Sequence, residues 1–183
     1  MINFVVSRKK CIFAKNVSNM KYPIGIQSFE QIIQGGFVYV DKTDLVYQLV
    51  YSGKIYFLGR PRRFGKSLLV STLEQYFLGN KELFKGLAMD KLEIEWKQYP
   101  VFHVDFSTGN YLNDGALEEK LSGTISRWET RYGVENTYDD LGLRFQEVLR
   151  AAHEKTGLGA VVLIDEYDKP ILDVIELDYQ VEH

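Results

Sequence analysis

Arg60-Pro61-Arg62-Arg63-Phe64-Gly65-Lys66-Ser67 is the stretch on which the fold turns. It fits G-x-x-x-x-G-K-[ST] at every fixed position but the first, where Arg60 replaces Gly. Ile55-Tyr56-Phe57-Leu58 leads into it as a continuous apolar run, the signature of a strand buried on both faces. Leu68, Leu69, Leu73, Tyr76 and Phe77 follow at helical spacing, and Gly79 ends the helix. Gly-Lys-Ser alone opens helices by chance. With a strand before it and a helix after it, the stretch reads as a phosphate-binding loop. Such a loop aims backbone N–H groups and the positive end of a helix dipole at an anion. The candidate nucleotide-binding residues are Arg60, Pro61, Arg62, Arg63, Phe64, Gly65, Lys66, Ser67 and Leu68. Gly65 allows close backbone approach, Lys66 reaches the β- and γ-phosphates, and the Ser67 hydroxyl ligates Mg²⁺. Arg62 and Arg63 either add charge-assisted bonds to the phosphates or face solvent and acidic neighbours.

On either side of the loop, helices alternate with apolar runs. Ser28 stands three residues before Gln31, the spacing of a capping box, and Gly35-Gly36 stops the short helix between them. Phe37-Val38-Tyr39-Val40 reads as a brief strand, then Asp41 or Thr43 caps a helix that ends at Gly53. For Asp41, Lys42 and Thr43 the capping role outweighs a nucleotide contact, and core packing of Tyr39 outweighs a place beside a base. A charged connector through Trp96 and Pro100 reaches the strand Val101–Phe106. Helices carrying Leu117, Leu121, Ile125, Trp128 and Tyr132, then Leu141, Phe145, Val148, Leu149 and Ala152, come next. Ala160-Val161-Val162-Leu163-Ile164 is the last strand. This alternation predicts an α/β fold, a parallel sheet flanked by helices.

That last strand runs into Asp165-Glu166. A carboxylate there lies at the C-terminal edge of a parallel sheet, where ligands bind in such folds. Asp165 is the candidate Mg²⁺ residue, and Glu166 the candidate general base beside the catalytic candidate Lys66. Acidic residues after strands are common, and the pairing with the loop a hundred or so residues earlier gives these two their weight. On the second strand His103 and Asp105 alternate with apolar neighbours; neither is taken as a ligand, although Asp105 could join the site through water.

Tyr22-Pro23-Ile24-Gly25, Tyr39-Val40-Asp41-Lys42-Thr43, the Arg60–Ser67 loop and Leu163-Ile164-Asp165-Glu166-Tyr167-Asp168-Lys169-Pro170 together resemble the AAA-ATPase-like domain of bacterial proteins. The resemblance spans Lys21 to about Leu172, and Arg60 in place of Gly is similar to that family's own loop. It implies a P-loop fold of the AAA-like, catalytic-Glu type, ATP and Mg²⁺ as ligands, and hydrolysis in the complete protein. Many members continue into a PD-(D/E)xK nuclease-like region. Folds of this type place a later strand between the P-loop strand and the strand ending in Asp165. About thirteen residues follow Pro170, so the expectation is the front part of a longer protein, an apolar slot in the sheet, and weak binding and slow turnover by this chain alone. A nucleotide-gated switch or scaffold without useful turnover is the alternative; nucleic-acid binding through Arg60, Arg62, Arg63 and Lys66 ranks last. A homo-oligomer or a C-terminal half is the expected completion.

The 183 residues suffice for one domain, 21–183, with an arm over 1–20 whose status is open and whose end, Met20, is an alternative start. Hydrophobic residues at 45% and charged residues at 26% exclude a disordered chain. A net charge of −3 excludes a polycation that coats nucleic acid. Cys11 alone forms no internal disulfide, and His103, His153 and His183 have no zinc spacing. No run approaches the roughly 20 apolar residues of a membrane span, so a reducing cytoplasm is the expected location.

Overall fold

The computed structural model describes residues 20–59, 61 and 63–181, with side chains through residue 175. Most of the arm over 1–20, including Cys11, and also Arg60, Arg62 and His183, lies outside the described residues.

Two parallel strands, β1 (Val101–Asp105) and β2 (Val161–Asp165), pair from Val101 opposite Val161 to Asp105 opposite Asp165. Successive side chains on a strand point to opposite faces. Phe102 and Val104 of β1 face α5 (Ala116–Tyr132) and α6 (Leu141–Thr156), packing with Ile125, Trp128, Val148 and Ala152. His103 faces the other way, onto α3 (Lys66–Phe77), which packs against both strands. The result is a sheet between helical layers, with α5 and α6 covering β1 more fully than β2. Val162 and Ile164 of β2 stay exposed.

Between α5 and α6 the Arg144 guanidinium donates to both Glu129 carboxylate oxygens, at 2.9 and 2.8 Å, and to the hydroxyls of Ser122 and Ser126. Both charged groups are buried, and the bidentate bond from Arg144 holds the Glu129 carboxyl below its usual range.

A second core lies on the N-terminal side. Phe29 of α1 (Phe29–Gln34), Val46 of α2 (Thr43–Ser52), Tyr76 of α3, Phe84 of a 3-10 turn (Lys81–Phe84) and Met89 of α4 (Ala88–Leu92) bury one another. Ser28 caps α1 by accepting from the Gln31 N–H, as its spacing predicts. Asp41 does more than cap one helix. Its Oδ1 accepts from the Thr43 N–H and hydroxyl, its Oδ2 from the Ala88 N–H at 2.7 Å, while Thr43 Oγ1 accepts from the Met89 N–H. One carboxylate and one hydroxyl thus secure the starts of α2 and α4. Tyr39 joins the same core, its ring edge-on to Phe29. Beside it Glu93, a buried carboxylate, accepts from the hydroxyls of Tyr51 and Tyr76; burial and this neighbouring charge push the Tyr51 hydroxyl up to about 12.

Two expectations fail. Phe37–Val40 forms no strand beyond a single bridge between Phe37 and Lys21. Ile55–Leu58, expected as the buried strand before the loop, belongs to no strand, and Ile55 is 95% and Phe57 76% exposed. An apolar run becomes a strand only where another backbone completes its ladder, and this one pairs with neither β1 nor β2. Phe57 still reaches the end of β2, where its ring meets Tyr167 at 5.3 Å. Among the described residues, the sheet has two strands rather than the larger parallel sheet that was expected. After β2, α7 (Lys169–Val181) leads away, with Ile171, Val174 and Ile175 exposed.

Phe102→Ala, at a fully buried position, should cost about 3–5 kcal/mol of unfolding free energy. Ile164→Ala, 52% exposed, should cost under about 1 kcal/mol in the same urea titrations. The Asp41 clasp also has a pH signature. Burial raises the Asp41 carboxyl, and the bonds from Thr43 and Ala88 outweigh that and hold it below its ordinary value. A depressed carboxyl contributes stability above its unfolded pKa of about 3.9 that is lost as pH falls through the folded value. Asp41→Asn should therefore flatten part of the acid limb of a stability-versus-pH curve; an unchanged limb would show that the clasp contributes nothing.

Candidate functional site

Gly65 caps α3 at φ +74°, a left-handed conformation that costs an L-residue roughly 1–2 kcal/mol. Helix α3 opens at Lys66 and Ser67 with no acidic residue in its first turn, so the positive dipole end there is not neutralised by its own side chains. The first N–H groups of a helix have no partner within it. Arg63 and Phe64 precede them as exposed residues.

Asp165 ends β2, 7% exposed, and its Oδ1 accepts from the Glu166 N–H at 3.0 Å. Glu166 turns the chain at φ +51°, and its carbonyl accepts from the Lys169 N–H that opens α7. Arg63 at φ +67° and Glu166 are the two non-glycine residues with positive φ among those described, and each lies in one of the two motifs. Backbone held in sparsely populated conformations clusters at functional sites.

The two motifs meet. Ser67 from α3, Asp105 from β1, Asp165 from β2 and Glu166 from the turn after β2 line one cleft of about 440 Å³. The β1–β2 register, with Asp105 opposite Asp165, sets both carboxylates at the same sheet edge. Asp105 is already engaged by the N–H and hydroxyl of Ser107, at 2.7 and 2.8 Å. Lys66, Gly65 and Leu68 start the same helix but do not line the cleft, and neither do Pro61, Arg63 or Phe64. A larger cleft of about 560 Å³ lies between the ends of α5 and α6. Its Arg150 is already paired with Glu147 and Glu154, and none of its described lining residues belongs to the Arg60–Ser67 stretch.

The cleft also holds a pair of which sequence reasoning set aside one member, His103, and did not single out the other, Glu74. His103 Nδ1 is 3.2 Å from Glu74 Oε2 of α3, and both side chains are partly buried. Hydrogen bonding to Glu74 raises the imidazole above its ordinary value against the opposing effect of burial, and the charges of Glu74, Asp105 and Asp165 add to the rise. Glu74 lies seven residues after Ser67, on the same helix face, and His103 shares strand parity with Asp105. Those two periodicities were the available signal.

A family model described as "Predicted AAA-ATPase" matches residues 23–183. The chain belongs to this AAA-ATPase-like family. An "Uncharacterized protein in vnfD 5'region" of Azotobacter chroococcum mcd 1 is 43% identical over 159 residues. That match covers 86% of this chain and 31% of the relative, so the chain spans about a third of the relative's length. No solved structure matches the chain. Membership agrees with the nucleotide-binding theme of the loop, and the Tyr39–Thr43 stretch that carries part of the resemblance is here the clasp of α2 and α4. No described helix is long and apolar enough to cross a membrane.

Gly65→Ala separates strain from space, because a Cβ at this position meets nothing within 4 Å. The substitution should lower stability by about 1–2 kcal/mol through backbone conformation alone. A thermal-melt series in which Gly65→Ala matched the wild type would show that the loop does not need the left-handed turn.

Proposed function

We propose that this chain is an ATP-binding P-loop module that uses Mg²⁺, and that in the complete protein it hydrolyses ATP. One observation carries the reading: Ser67 at the start of the P-loop helix and the Asp165-Glu166 pair at the end of β2 line the same cleft.

The residues fit a nucleotide-borne magnesium better than a metal held by protein alone. No described group of three or more His, Cys, Asp and Glu could hold a metal ion by itself. Mg²⁺ takes one or two protein oxygens and completes its shell with phosphate and water. The Ser67 hydroxyl and the buried Asp165 carboxylate supply that kind of donor. When bound, the ion neutralises charge on the β- and γ-phosphate oxygens.

The protein's own part is positioning. Gly65 and the first N–H groups of α3 cradle the phosphates, and Lys66, adjacent to Ser67, extends its ammonium to the β- and γ-oxygens. Pro61, Phe64 and Leu68 shape the backbone of that cradle. Arg60, Arg62 and Arg63 give the same stretch of sequence guanidinium groups suited to phosphate. Glu166, held by its turn at the cleft, orients and deprotonates the attacking water. Phosphoryl transfer asks little covalent chemistry of a protein, so placement and charge carry most of the rate.

Calorimetric titration with ATP·Mg²⁺ tests the reading. Lys66→Ala should weaken binding at least tenfold, about 1.4 kcal/mol, with its circular dichroism unchanged. Equal affinity in the folded variant would remove the P-loop assignment. Glu166→Gln should keep the affinity and lose turnover in an enzyme; if it changes neither, the module is a switch rather than an ATPase.

A further inference from the structure

Among the side chains lining the Ser67–Asp165 cleft there are five carboxylates, from Glu30, Glu74, Asp105, Asp165 and Glu166, and no Lys or Arg. A polyphosphate entering such a cleft meets like charge on several sides, and each carboxylate near it opposes binding. Mg²⁺ offsets part of this. The remaining basic side chain in the lining is His103.

His103 is also a tie between elements. It joins β1 to α3 through Glu74, two helical turns beyond Ser67, so the bond fixes the face of the P-loop helix against the strands. The ring is only half satisfied: Nδ1 meets Glu74, whereas Nε2 is buried with no hydrogen-bond partner. An imidazole so placed is sensitive to what enters beside it, because an unpaired buried polar atom is costly and any new partner lowers that cost.

We propose that His103 and Glu74 form a protonation-dependent clasp that holds the P-loop helix against the sheet and admits polyphosphate to the acidic cleft. The proposal rests on the nucleotide-binding reading above and adds its regulation by pH. With His103 protonated, its pair with Glu74 is a full ion pair, one carboxylate is neutralised, and the cleft tolerates an anion. With His103 neutral, the pair weakens to an ordinary hydrogen bond and Glu74 turns its charge on the ligand.

The charges around His103 work against the effect of its burial. Glu74 of α3 favours the imidazolium most, with Asp105 of its own strand and Asp165 of β2, while Glu166 from the turn after β2 and Glu30 from α1 line the same cleft. A polyphosphate beside the ring favours the imidazolium further. A histidine raised above its unfolded value of about 6.5 contributes stability that is fully present below that value. It is lost as pH rises through the folded value. Tighter binding therefore lies on the acid side.

The test measures the affinity of ADP·Mg²⁺, and of ADP in EDTA, at pH 6.0 and pH 8.0 for wild type, His103→Gln and Glu74→Gln. The His103 imidazole is titrated by NMR in the same proteins. ADP's own phosphate ionisation is common to all three and is removed by comparison with His103→Gln. The wild type should lose several-fold more affinity than His103→Gln between the two pH values, with the larger loss in EDTA. Glu74→Gln should move the His103 midpoint down and shrink the pH effect. Equal pH dependence in wild type and His103→Gln, or an imidazole midpoint unmoved by Glu74→Gln, overturns the clasp while leaving nucleotide binding intact. Absence of ADP and ATP binding at every pH, with a normal His103 titration, overturns both this coupling and the nucleotide reading.

Discussion

The parallel ladder between β1 and β2, in the register that sets Asp105 opposite Asp165, is the constraint from which the site follows. Parallel strands carry their C-terminal ends to one edge, so two carboxylates from residues sixty apart arrive together. Helix α3 packs on the same sheet face and brings Ser67 to that edge. A one-residue slip in the ladder would invert every side chain on β2 and turn Asp165 away from the cleft. Burial fixes which face of β1 turns to the cleft: Phe102 is locked between Trp128, Tyr132 and Phe145 on the opposite face. The cleft at one end of the sheet thus depends on aromatic packing behind it.

Two cores divide the work. The α5–α6 layer holds the strands, and the bidentate Arg144–Glu129 pair keeps those helices in step. Such a buried pair adds little net stability over apolar residues of the same shape, but losing one partner strands a charge. The N-terminal cluster holds α3 from its other side, through Phe29, Tyr76 and Phe84 and through the Phe29 N–H bond to Ser71. Asp41 and Glu93 are the polar pins of that cluster. Helix α3 is therefore gripped along its length, and Ser67 in its first turn lines the cleft, with no acidic residue in that turn to oppose the helix dipole.

Elements whose periodicity is local were legible in the sequence. The α3, α5 and α6 stripes, the strands ending in Asp105 and Asp165, and the Ser28 cap all follow from spacing within a few residues. Ile55–Leu58 was misread because strand formation is a tertiary event, and an apolar run without a ladder partner stays irregular. The 3-10 turn and α4 were missed for a related reason. They lie in a charged stretch with little periodicity, and α4 is held by Asp41, 47 residues away. Asp41 itself was legible as a cap, but its second bond was not. Of the cleft's lining, Ser67, Asp165 and Glu166 were singled out from motif and context and come together in the structure, whereas the His103–Glu74 bond needed the packing of α3 on β1.

Paramagnetic broadening by Mn²⁺·ADP tests most directly whether the two motifs form one nucleotide–metal site. A substoichiometric amount added to isotopically labelled protein should bleach the amide signals of Ser67, Asp165 and Glu166 together, and leave those of Glu147 and Glu154 sharp. Broadening centred on the α5–α6 cleft, or at Ser67 without Asp165, would contradict a shared site at the edge of the sheet.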